Sequence, residues 1–167
     1  VPLAIRHRTE ADLPVLAEIL VRVHALDGYP VEGVGDPEAW LRHPRELRSW
    51  TAEVDGRLVG QVTLTSATPD DDAARVWRER TGGSTNELAI PVRLFADPRH
   101  RGSGAGRALM TAAVDHARRL GLAVAFDVML KDRAAVALYE RMGAVLLGEV
   151  EHVHSGGLTE AAAVYRL

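Results

Sequence analysis

Leu88-Ala89-Ile90-Pro91-Val92-Arg93-Leu94-Phe95 followed by Ala96-Asp97-Pro98-Arg99-His100-Arg101-Gly102-Ser103-Gly104-Ala105-Gly106 is the stretch on which the reading of this chain turns. Its first half is mostly apolar and reads as a strand buried on both faces, with Pro91 interrupting it and arguing for a bulge or locally broken pairing. Its second half opens directly into a helical pattern, in which Leu109, Met110, Ala113, Ala117 and Leu120 recur every three or four residues from Arg107 to Leu120. Three glycines between Gly102 and Gly106 leave main-chain N–H groups uncovered by side chains. A helix that starts there adds unpaired donors and the positive end of its dipole. Strand, glycine turn and helix in that order make a place for an anion.

Two nucleotide-binding patterns can be checked against the turn letter by letter. A dinucleotide fingerprint beginning at Gly102 requires glycine or alanine where Arg107 stands. A Walker loop requires Gly-Lys-Ser/Thr at its end, and the stretch has no lysine. What is left is Arg-x-x-Gly-x-Gly, which by itself is also compatible with a tight loop whose small residues serve packing.

Outward from the turn, the remaining chain reads as alternating elements. Toward the N-terminus, Trp50–Val54 and Arg57–Thr65 flank Asp55-Gly56, a two-residue hairpin signal, because both central positions need positive φ. Leu3 to Arg8 reads as a first strand. Thr9-Glu10-Ala11-Asp12 is a capping box ahead of the apolar face Leu13, Leu16, Ala17, Leu20 and Val23, with Pro14 in the first turn. Turn formers from Asp27 to Pro37 precede a short helix at Glu38–Leu41. Asp70 to Asp72 starts another helix, Ala73–Arg80, which Gly82-Gly83 ends. Toward the C-terminus, Leu122–Leu130 is a strand, Asp132 caps a helix from Arg133 to Met142, and Gly143 closes it. Ala144–Val150 and Ala161–Arg166 read as closing strands.

Composition narrows the function classes. A chain of 167 residues supports one domain with a proper core. Hydrophobic residues make up 47% and charged ones 26%, as in an ordinary globular protein. A net charge of −3, with no basic run interleaved with aromatics, argues against a nucleic-acid surface. There is no cysteine, which excludes disulfides, thiolate metal sites and a cysteine nucleophile. No apolar run approaches the roughly 20 residues of a membrane span, and residues 1–8 lack a signal-peptide core, so a cytoplasmic protein without membrane contact is expected. His152 and His154 would share one face of a strand, but no third ligand is evident, so no metal is expected.

Leu94 to Gly106 resembles the acyl-coenzyme-A binding motif of the GNAT superfamily of N-acetyltransferases. Asp132-Arg133-Ala134-Ala135-Val136-Ala137-Leu138-Tyr139-Glu140-Arg141-Met142-Gly143 resembles that superfamily's later helix, usually written Asn-x-x-Ala-x-x-Leu-Tyr-x-x-x-Gly-Phe. The departures are Asp132 in place of asparagine and Ala144 in place of phenylalanine. The resemblance implies a single α/β (α+β) domain over residues 1–167. Its central mixed, mostly antiparallel sheet would have six to seven strands, splayed at the cofactor site and flanked by about four helices. It also implies an enzyme that moves the acetyl group of acetyl-CoA to a primary amine by direct attack in a ternary complex.

Carried over residue by residue, the resemblance places the pyrophosphate on Gly102, Ser103, Gly104, Ala105, Gly106 and Arg107, with Arg101 adding charge. The pantetheine would lie along the backbone of Leu94, Phe95 and Ala96. Tyr139 stands at the position of the general acid, or is a core aromatic. Glu87, at the start of the strand, is a base acting through water, or a solvated strand end. Asp27 and Tyr29 border the acceptor, or form an ordinary turn. A small-molecule amine or a peptide or protein amine would serve as acceptor, and dimers are frequent in similar proteins. Two other readings remain open at this point, a sensor that holds acyl-CoA without turnover and an acyltransferase with another donor or a hydroxyl acceptor.

Overall fold

Asp55 and Gly56 sit at φ 50° and 74°, so the chain reverses in two residues and Val54 pairs with Arg57. This mirror-image turn matches the twist of the strands it joins. The computed structural model describes residues 2–154 and 156–167. Its strands are β1 (Leu3–His7), β2 (Glu46–Val54), β3 (Arg57–Ser66), β4 (Leu88–Ala96), β5 (Ala123–Met129), β6 (Val145–Val153) and β7 (Thr159–Arg166). Its α-helices are α1 (Leu13–Asp27), α2 (Pro37–Leu41), α3 (Asp72–Thr81), α4 (Ala105–Arg119) and α5 (Arg133–Arg141). The strands follow the order β1-β2-β3-β4-β5-β7-β6 in one mixed, open sheet. β1 with β2, β2 with β3, β5 with β7 and β6 with β7 run antiparallel, whereas β4 and β5 are parallel. The fold class is the expected one, with seven strands and with five α-helices where about four were expected. Among the described residues no helix is long and apolar enough to cross a membrane.

The chain forms two compact units. The first takes the stretch ending at Thr65 together with Val92–Asp115. Its core is the apolar face of α1, where Leu13, Leu16, Ile19 and Leu20 are buried with Leu41 of α2 and Phe95 of β4. Burial of each such side chain is worth about 1.5–3 kcal/mol. The predicted capping box is present on a 3-10 turn that leads into α1, with Asp12 accepting from Thr9 N at 2.7 Å. Asp12 also accepts two hydrogen bonds from Arg6 of β1, at 2.8 Å each. That bidentate pair is the main reason the Asp12 carboxyl lies at about 2, below its usual 3.8.

The second unit takes Ser66–Pro91 and His116–Leu167. Helix α3 packs on β5, β6 and β7, with Val76 and Trp77 buried. On β5, Phe126 meets Tyr139 of α5 edge to face at 4.6 Å between centroids, and Tyr165 of β7 at 6.2 Å. Asp132 caps α5 by accepting from Ala135 N at 3.2 Å. The register of β4 with β5 consists of Leu88 opposite Ala123 and Ala89 opposite Val124. It ends just before Pro91, which has no N–H to offer a ladder.

Candidate active site

The glycine turn reaches its shape through positive φ at Gly102 and Gly104, 80° and 84°. A Cβ at Gly102 would meet nothing within 4 Å, and one at Gly104 only Leu3 Cδ2 at 3.9 Å. Conformation rather than crowding therefore requires glycine here. Ser103 N bonds to His100 O at 3.3 Å, and Ala105 N to its neighbour Ser103 Oγ at 3.3 Å. Among the described residues, the N–H groups of Gly102, Gly104, Gly106 and Arg107 find no backbone carbonyl. Helix α4 begins at Ala105, earlier than the expected Arg107, so Gly106 and Arg107 are first-turn donors. The turn thus offers uncovered donors at a helix N-terminus, with open space beside Gly102 and Gly104, which suits the oxygens of a phosphate or pyrophosphate.

Asp97 anchors the chain just before the turn. Only 1% exposed, it accepts from Arg99 N and Nε and from Arg99 Nη2, and it also takes Arg22 Nη2 of α1 at 2.9 Å. Burial alone would raise this carboxyl, but the hydrogen bonds from Arg99 and Arg22 outweigh it and hold the group well below the usual carboxylate range. Its main chain is fixed as well, by Asp97 N donating to Val59 O at 2.6 Å. Gly60 lies beside this segment, and a Cβ there would overlap Phe95 O and crowd Ala96 Cα. Strand β3 therefore needs glycine to approach the backbone of Phe95 and Ala96.

Arg93, in the middle of β4, has φ 55°, a left-handed conformation that is uncommon for a long side chain and costs about 1–3 kcal/mol. Gln61, fully buried, donates to Arg93 O at 2.6 Å, and Arg8 Nη1 donates to Gln61 Oε1 at 2.7 Å. The guanidinium lies over the Trp40 ring, 4.6 Å from its centroid, and Nη1 donates to Trp40 O. Trp40 in turn meets Tyr29 edge-on at 5.8 Å and Phe95 at 6.4 Å. Sequence reading did not single out Arg93, Trp40, Gln61 or Asp97. The one available signal was a charge inside an otherwise apolar strand two residues after Pro91.

The remaining expected site residues fall in different settings. Tyr29 is half-buried in the aromatic group just described. Asp27 is the last residue of α1 and accepts from Arg101 Nη2 at 2.5 Å, so the two form an exposed ion pair beside the turn. Glu87 is exposed and caps a 3-10 turn, accepting from Ser84 N at 2.8 Å. Leu94 and Ala96 are half-buried and Phe95 is buried. Tyr139 is 7% exposed, and among the described residues nothing accepts its hydroxyl proton. Burial, helped by the charges of Asp132 and Asp127, raises its phenol above the ordinary value. The group therefore stays protonated through neutral and mildly alkaline pH.

His152 and His154 do meet, at 4.7 Å between ring centroids. His152 Nδ1 lies 3.3 Å from Asp72 Oδ2 and 3.8 Å from Asp127 Oδ2. Burial raises the Asp127 carboxyl. No group of three or more His, Asp or Glu side chains able to hold a metal occurs among the described residues.

Comparison with known proteins adds a sequence match and several structural ones. The profile of the acetyltransferase (GNAT) family matches residues 14–144. Mycothiol acetyltransferase of Kocuria rhizophila is 30% identical over 134 residues, covering 68% of this chain and 44% of its own length. The chain thus spans less than half of that curated relative. A ribosomal-protein-alanine N-acetyltransferase from Brucella melitensis superposes with a TM-score of 0.74 at 23% identity, over 98% of both chains. A putative acetyltransferase from Salmonella typhimurium, solved with its cofactor acetyl-CoA, gives 0.70 at 18% identity, over 99% of this chain and 92% of that one.

Proposed function

The chain belongs to the GNAT acetyltransferase family, and from that premise we propose that residues 1–167 act as one domain that transfers an acetyl group from acetyl-CoA to a primary amine. The observation that carries the proposal is the glycine turn, whose N–H groups at Gly102, Gly104, Gly106 and Arg107 have no backbone partner among the described residues, beside open space at the Cβ positions of Gly102 and Gly104. These donors would hold the pyrophosphate, and Ser103 and Ala105 would join them by exchanging their 3.3 Å partners, His100 O and Ser103 Oγ, for phosphate oxygens. Arg101 adds its charge by exchanging Asp27 for a phosphate oxygen. The backbone of Leu94, Phe95 and Ala96 would take the pantetheine amides as an added strand would.

In the reaction the amine nitrogen forms a bond to the thioester carbonyl carbon, and the carbonyl electron pair moves onto oxygen. Backbone N–H groups near Leu94 stabilise that oxyanion. Its collapse breaks the C–S bond, the nitrogen gives up its second proton to solvent to leave the neutral amide, and the departing sulfur takes a proton. Tyr139 supplies that proton. Burial raises its phenol above the ordinary value, so the proton is in place when the sulfur departs, and solvent returns it to the phenolate afterwards. The acceptor must first lose a proton, since an alkylammonium has a pKa of about 10. Glu87 serves as the base, acting through water from its exposed position.

The test is thiol release from acetyl-CoA over a panel of primary amines, together with calorimetric titration of the free protein with CoA. We expect CoA binding and release that depends on the amine. Absence of both overturns the proposal, and binding without release on any amine would make the chain a sensor instead.

A further inference from the structure

Arg93 is the half-buried cation in the first unit whose charge the fold leaves unanswered. Among the described residues no carboxylate lies within ion-pair distance of it, whereas Arg6, Arg8, Arg22, Arg42, Arg99 and Arg101 all have one. Its protein contacts are the Trp40 ring beneath it and Trp40 O at Nη1. The Nε and Nη2 edge of the guanidinium has no partner among the described residues. Glu32, whose charge reaches Arg93, is held at Trp40 Nε1 at 2.8 Å. Desolvation, together with the nearby charges of Arg8 and Arg45, works against the cation, and Tyr29 and Glu32 compensate only in part. A cation kept in such surroundings by a left-handed backbone, with Gln61 pinning its carbonyl, is costly unless something else uses its charge.

We propose that Arg93 receives a carboxylate of the acceptor, so that the acceptor is a small primary amine that also carries a carboxylate. The proposal rests on the acetyltransferase reading given above. The chemistry selects a carboxylate because the Nε and Nη2 edge is a planar fork that matches two carboxylate oxygens. Trp40 already occupies the flat face, so the approach is edge-on. Tyr29 and Trp40 bound the site with aromatic surface that suits a short carbon chain. Arg93 immediately precedes Leu94, where the thioester end of the donor is placed, so an amine a few bonds from the carboxylate comes within reach of the carbonyl.

The experiment compares acceptors that differ only in this group. Amino acids are run against their primary amides and against the matching decarboxylated amines, with thiol release followed at saturating acetyl-CoA and corrected to the free-amine concentration. For the wild type we expect kcat/KM for the acid to exceed that for the amide by at least about tenfold, a ratio of that size corresponding to one good charged contact. In Arg93→Gln the ratio is expected to fall toward one, mainly through KM for the acid. Arg93→Lys, which keeps the charge and loses the fork, should retain part of it. Equal rates for acid and amide in the wild type overturn the inference without touching the acetyltransferase reading, as does a variant that lowers both equally. Preference for an aminophosphonate or aminosulfonate over the matching acid also overturns it. No thiol release from any acceptor overturns both.

Discussion

At the residue scale the sharpest expectation concerns Tyr139. Its phenol is buried, protonated and without an acceptor for its proton among the described residues, so removing one oxygen should leave packing against Phe126 intact while removing the donor. Tyr139→Phe is expected to lower kcat about a hundredfold or more, with KM for acetyl-CoA and Tm nearly unchanged. Steady-state kinetics beside a thermal melt check this, and unchanged turnover would return Tyr139 to the core. Asp12 makes a different kind of prediction. Its folded pKa of about 2 lies below the ordinary 3.8, so its contribution to stability is complete above pH 4 and is lost as pH falls toward 2. Because Arg6 is 40% exposed, solvent discounts the pair, and Asp12→Asn should cost about 1–2 kcal/mol at pH 7. Urea titrations of both proteins should converge near pH 2. These two residues were legible in the sequence because their signals are local, a helix motif for one and a four-residue capping box for the other. Arg93 and Trp40 were not, since their contact joins positions 53 apart in the chain and exists only once the fold forms.

At the scale of elements, hydrophobic period and punctuation carried most of the reading. Asp55-Gly56 gave the β2–β3 hairpin, and Gly82 at φ 71° ends α3 as expected. Pro91 marked the place where β4 stops pairing with β5, although not the left-handed residue two positions later. Close approaches of backbone to backbone leave no such mark. Gly60, inside a strand, reads as an ordinary weak point, yet a Cβ there would overlap Phe95 O. Gly60→Ala is therefore expected to destabilise the protein by about 1–3 kcal/mol and to weaken acetyl-CoA binding as well, because the displaced backbone is the one proposed to meet pantetheine. Gly104→Ala should do the reverse in proportion. The φ of 84° costs about 1 kcal/mol for a residue with a Cβ, while the shifted N–H groups raise the Kd for CoA roughly tenfold. Denaturant titration and calorimetry separate the two effects.

At the scale of the whole molecule the net charge is −3, yet the proposed donor site is rich in arginine and helix-end dipole. Attraction of a polyanion to this protein is therefore a local property working against the overall charge. Raising salt from about 0.05 to 0.5 M shortens the screening length from roughly 14 to 4 Å and should raise KM for acetyl-CoA several-fold while kcat changes less than twofold. A salt-independent KM would mean that uncharged contacts dominate. The fold class was readable from the order of elements, and the division into two units was not, because the chain passes between them at Thr65, Pro91 and Asp115 with no linker-like composition.

That interleaving has a consequence for synthesis. A nascent chain that has emerged as far as Pro91 holds neither unit complete, since one awaits Val92–Asp115 and the other His116–Leu167. The α1 core lacks Phe95, although Leu58 of β3 is already there to pack against it, and α3 has none of β5, β6 and β7. Cooperative structure is expected to appear on the ribosome only after Asp115 clears the exit tunnel. Until then the emerged segment is a chain that chaperones can bind and proteases can cut.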